Sequence, residues 1–80
     1  MKWIRDILIM NNDFQRIEKL HNCKLYETKK GEQEFIELHT LNAFTKNNLI
    51  HIEHILKQYG YYFYMIEAMD DYLMITYYKK

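Results

Sequence analysis

The 80-residue chain has no proline, no serine, two glycines and one cysteine, and its eleven basic and eleven acidic side chains cancel to zero formal net charge at pH 7. Each shortage excludes something. Without serine there is no Ser-His-Asp hydrolysis. With glycine only at 31 and 60, no glycine-rich loop is available to cradle a phosphate. The lone Cys23 cannot close an intramolecular disulfide, which points away from a stapled secreted scaffold and toward a reducing, cytoplasmic setting. Its thiol reads as a small buried hydrophobe. Net neutrality argues against tight, sequence-independent binding to phosphate backbones and against a polyanionic nucleic-acid mimic. It also removes the repulsion that keeps small domains apart, so self-association, as a homodimer, is favoured. The apolar run of MKWIRDILIMNN is broken by Arg5 and Asp6, well short of a signal core or a membrane span.

What is present is an apolar chain, 49% hydrophobic and 28% charged, too apolar for disorder and too poor in Pro and Gly for a linker. Residues 1–80 read as one small domain, of a size that buries roughly 60% of the unfolded surface. Asn, Lys, Ile, Tyr and Phe make up 37 of the 80 residues. These are residues of AT-rich codons, and the gene is expected in an AT-rich genome such as that of a bacteriophage or mobile element. Codon bias explains how many tyrosines there are. It does not explain why seven of the eight fall between Tyr59 and Tyr78.

Helical spacing of Trp3, Ile4, Ile7, Leu8, Met10, Phe14, Ile17 and Leu20 predicts two short helices, with Asn12 and Gln15 as a capping pair for the second, from Asp13 to about Leu20. From Cys23 to His39 the period changes to two. Cys23, Leu25, Ile36 and Leu38 share one side of a hairpin turning at Lys30, Gly31 and Glu32, and Tyr26 and Phe35 stand out as apolar residues on its polar side. Thr40 or Asn42 is placed to cap a helix running to Tyr59, with Gly60 at its left-handed C′ position. A second hairpin, YYFYMIE and YLMITYY, is predicted to turn at Ala68 to Asp71, with Ala68 opposite Asp71; Lys79 and Lys80 are predicted to fray. The fold expected is α+β, αββαββ, a four-stranded antiparallel sheet with helices mainly on one face.

The last hairpin is apolar on both sides, although a sheet needs only one apolar face. Strict alternation puts Tyr62, Tyr64, Ile66, Leu73, Ile75 and Tyr77 toward the helices. Tyr61, Phe63, Met65, Tyr72, Met74 and Tyr78 then join Tyr26 and Phe35 on the opposite face, an exposed apolar surface of the kind that binds protein. Its cover is either the N-terminal helix or another molecule.

No cofactor is implied. His51 and His54 share a helix face, but with His21, His39 and Cys23 they form no ligand motif. Glu67, Asp70 and Asp71 are ordinary turn residues. Ile50 is the one aliphatic on the wet side of its helix. The composition therefore indicates a non-enzymatic protein-interaction module, such as an inhibitor of a host protein or a minor virion component, partnered by protein or by itself, with no membrane or small-molecule substrate. The alternative is single-stranded nucleic-acid binding by base stacking on the aromatic face, which the zero net charge disfavours.

Overall fold

A computed structural model describes residues 12–41 and 45–80. It shows two helices and a four-stranded antiparallel sheet in the order α1 (Asn12–His21), β1 (Cys23–Lys30), β2 (Gln33–Thr40), α2 (Lys46–Gln58), β3 (Tyr61–Ala68) and β4 (Leu73–Lys79). The strands lie side by side as β1-β2-β4-β3, so β1 and β3 are the edges. The first predicted helix, Trp3 to Met10, and the candidate cap Asn42 lie outside the described residues.

Local chemistry explains most of the boundaries. Gly31 and Gly60 both take positive φ, 63° and 86°, values that a side chain resists and glycine does not. Gly31 turns the first hairpin, and Gly60 follows the last turn of α2 and leads into β3. The helix α2 starts later than Thr40 or Asn42 would place it. Thr40 is the final residue of β2 and is buried, whereas the N-cap is Thr45, whose hydroxyl accepts the Asn48 N–H at 3.2 Å. The strand outcompetes the cap because Thr40 is paired with both Cys23 and Leu73.

One core joins the elements. Phe14 and Ile17 of α1 and Ile52 and Leu56 of α2 meet Cys23, Leu25, Ile36, Leu38, Ile75, Tyr77 and Tyr61 of the sheet. These sheet residues define the core face. The helices are tied at their ends as well: the Tyr59 hydroxyl donates to Asp13 Oδ2 at 2.5 Å, and the Tyr59 and Phe14 rings meet edge-on at 5.0 Å. The chain end is held rather than frayed. Lys80 N–H donates to the Gly60 carbonyl at 3.0 Å, and Gln33 donates its side-chain amide to the Lys79 carbonyl at 2.7 Å.

The C-terminal hairpin differs from strict alternation in two ways. Its turn spans Met69 to Tyr72, closed by Met69 N–H on the Tyr72 carbonyl at 2.8 Å, so Ala68 pairs with Leu73 and not Asp71. The register also slips between Phe63, opposite Tyr77, and Met65, opposite Thr76, which leaves Tyr64 as the extra residue of a β-bulge. A bulge places two successive side chains on one side and inverts the phase of the strand beyond it.

Tyr77 occupies the middle of this core, and its hydroxyl has no hydrogen-bond partner among the described residues. A buried orphan hydroxyl costs about 1–3 kcal/mol of desolvation that no bond recovers. Tyr77→Phe is therefore expected to raise the denaturant midpoint, by about 1 kcal/mol in unfolding free energy. Ile52→Ala, which empties a fully buried site, should lower it by about 3 kcal/mol. Equilibrium urea unfolding checks both.

Candidate interaction surface

The bulge redistributes the residues expected to form one aromatic face. Before it, Tyr61 and Phe63 lie on the core face. Tyr61 is only 7% exposed, its hydroxyl pushed up to about 12 by desolvation and then by Glu27 and Glu34, and the Phe63 ring meets Tyr77 edge-on at 6.3 Å. At and beyond the bulge, Tyr64 and Met65 share the second face, while Ile66 returns to the core face opposite Ile75. Tyr61 and Phe63 are thus separated from Met65, Met74, Tyr78, Tyr26 and Phe35, the expected members that the second face does bring together. Tyr72 sits in the turn, stacked on His39 at 4.6 Å.

The second face carries two aromatic groups. At one end Tyr26, His39 and Tyr72 are in ring contact at 4.6 Å, and His39 Nε2 lies 3.2 Å from Glu37 Oε1. At the other, Phe35, Tyr64 and Tyr78 surround an open depression of about 420 Å³ with Gln33 at its rim. The Tyr64 ring is 5.9 Å from Phe35 and 6.1 Å from Tyr78. The Tyr62 ring, on the same face, carries the Lys80 ammonium 4.8 Å from its centroid. Between the groups this face is shielded, with Thr28 and Thr76 buried and Met74 half-buried.

The exposed apolar surface lies instead along β3. Phe63, Tyr64, Met65 and Ile66 are 48%, 57%, 37% and 49% exposed, and Met69 adds the tip. Both faces of the strand contribute. The two sheet edges are opposite in character: β1 presents exposed Lys24, Lys29 and Lys30, the charged guard that keeps strand edges from pairing. The edge of β3 has no charge from Tyr61 to Ile66. Sequence reasoning assigned Tyr64 and Ile66 to the covered set and missed them. No signal in the residues marked them, since both phases of YYFYMI are apolar and the two runs YYFYMIE and YLMITYY are equal in length.

Other candidate chemistry resolves differently. His51 does not join His54. Its Nδ1 lies 3.0 Å from His21 Nε2 across the α1–α2 contact, and His54 sits 3.4 Å from Gln58. Among the described residues no three His, Cys, Asp or Glu side chains gather as a metal site. Cys23 Sγ is buried 3.8 Å from the Ile17 carbonyl; desolvation, then Glu18, pushes the thiol up to about 12, the reverse of an activated nucleophile. Asp70 and Asp71 are exposed in the turn. No described helix is long and apolar enough to cross a membrane.

Two measurements follow from these groups. The Cys23 thiol should resist DTNB in the native protein at neutral pH and react fully in denaturant. His21 is held below its ordinary value of 6.5 by desolvation and then by His51, so the folded state favours the neutral ring and the unfolded state binds more protons. Stability is then complete above pH 6.5 and declines as pH falls below it. Thermal midpoints should drop as pH falls below about 6.5, and His21→Gln should lose part of that drop.

No family model, curated protein or solved structure matches this chain.

Proposed function

We infer that the chain is a non-enzymatic protein-interaction module that works by binding or oligomerising through its C-terminal hairpin, with both helices packed mainly on the core face. One observation carries this: among the described residues, five of the nine exposed large apolar side chains fall between Phe63 and Met69. A patch this concentrated, on both faces of an unguarded edge, is of the size and placement that marks a protein-interaction site. The rings and thioethers there supply contact area at modest entropic cost. Against catalysis stand the unreactive Cys23, the His21–His51 pairing and the absence of serine. A compact, cytoplasmic binding module with AT-rich coding suits a small phage or mobile-element accessory gene, whose product inhibits a host protein or takes a minor place in a virion.

Single-stranded nucleic acid remains the competing ligand, favoured by the rings of Phe35, Tyr64 and Tyr78 around the open depression. It is opposed by zero net charge and by Glu37 and Glu67 on the same face.

The native protein is expected to bind the apolar dye ANS and to show concentration-dependent mass by light scattering. The double variant Phe63→Ser, Ile66→Ser should remain folded by circular dichroism, lose most of the dye signal, and weaken association by about 2 kcal/mol or more. A native protein that is silent to ANS and monomeric at every concentration contradicts the proposal. Binding to single-stranded oligonucleotides with a steep salt slope and Tyr64 dependence would favour the competing ligand.

A further inference from the structure

We propose that the partner of the β3 edge is a second copy of this chain, joined antiparallel about a two-fold axis at the Tyr64 bulge so that two sheets become one of eight strands. The proposal rests on the interaction reading above and names its partner.

Symmetry and the bulge together select the register. In a regular antiparallel pair, directly opposed residues share a face, and faces alternate along each strand. A strand with an even number of residues paired with itself over its full length would therefore set every core-facing residue against an outward-facing one. The eight residues of β3 are such a strand, with one exception at its middle. The bulge puts Tyr64 and Met65 on the same face, and this inverts the phase of the second half relative to the first. Full overlap then matches faces at every position. Tyr61 opposes Ala68 and Phe63 opposes Ile66 on the core face, while Tyr62 opposes Glu67 and Tyr64 opposes Met65 on the second. A bulge usually blunts an edge; at the symmetric midpoint it makes the edge self-complementary.

The side chains fit this register. Phe63 and Ile66, each about half exposed, cover the parts of one another that Tyr77 and Ile75 leave open. Glu67 comes to lie across from Tyr62 of the second copy, whose ring already holds the Lys80 ammonium at 4.8 Å, so opposite charges meet at both ends. The zero net charge opposes nothing. The exposed parts of Phe63, Tyr64, Met65 and Ile66 amount to about 400 Å² per copy, given roughly 150–250 Å² for a whole aromatic side chain. That is about half of the roughly 800 Å² per partner of a standard interface, so the edge pairing gives a weak, concentration-dependent dimer in which main-chain hydrogen bonds along β3 carry much of the contact. The other edge offers no equivalent, since pairing β1 with itself would gather Lys24, Lys29 and Lys30 from both copies.

Sedimentation of two exposed-site variants tests this, with circular dichroism to establish that each is folded. Tyr64→Lys and Met65→Glu should each weaken the dimer about tenfold or more, because like charges then flank the axis. An equimolar mixture of the two should recover a heterodimer, because the ammonium introduced at position 64 of one chain opposes the carboxylate introduced at position 65 of the other. Dimerisation unaffected by either variant, or a mixture that stays monomeric, overturns the edge pairing. A wild-type chain that is monomeric throughout yet binds ANS overturns the second copy as partner and leaves the interaction reading standing. A monomer silent to ANS overturns both.

Discussion

The β-bulge at Tyr64 decides which side chains of the C-terminal hairpin meet the core and which meet water. Upstream of it, Tyr61 is sealed beneath the helices and Phe63 leans on Tyr77. Downstream, Ile66 stands on the core face opposite Ile75 yet stays about half exposed. The extra residue lets Tyr64 turn toward Phe35 and Tyr78, so one inserted position builds the aromatic depression and frees the apolar edge together. Without it, the hairpin would present a conventional inside and outside, and the unguarded length of β3 would have no symmetric midpoint.

The rest of the molecule serves to hold that hairpin. The β4 strand lies between β2 and β3 and carries Ile75 and Tyr77 into the core. The Gly60 carbonyl receives the Lys80 N–H, which pins the start of β3 to the chain end. Charge is kept off β3 from Tyr61 to Ile66 and placed on the lysines of β1, on the Glu34–Lys79 pair at 3.8 Å, and on the Glu37–His39 contact inside the second face. The result is a guarded edge, an unguarded edge, and helices whose polar sides carry paired rather than clustered histidines.

Much of this was legible in the residues. The helical spacing of Phe14 and Ile17, Gly60 at the end of α2, and the alternation of Cys23, Leu25, Ile36 and Leu38 all matched their elements, because periodicity and glycine's φ freedom act locally. The start of α2 did not, since Thr40 and Thr45 are equally good caps by type and only strand pairing chose between them. The bulge was hidden for a sharper reason. When both phases of a strand are apolar, a shift in phase leaves the hydrophobic pattern unchanged, and YYFYMI reads the same either way. Hydrophobicity therefore does not specify which face of β3 each residue takes, and the exposed apolar side chains lie at the edge of the sheet and not across its middle.

Nuclear Overhauser effects in a sample mixed from isotope-labelled and unlabelled chains would test the account most directly. Isotope filtering passes only signals between copies, which is needed because Phe63 and Ile66, opposite Tyr77 and Ile75, are also same-face neighbours within one strand. Intermolecular contacts between the Phe63 ring and the Ile66 methyls, and between Tyr64 and Met65, are the predicted result. Intermolecular contacts confined to other surfaces, or none at concentrations where light scattering gives a dimer, would contradict it.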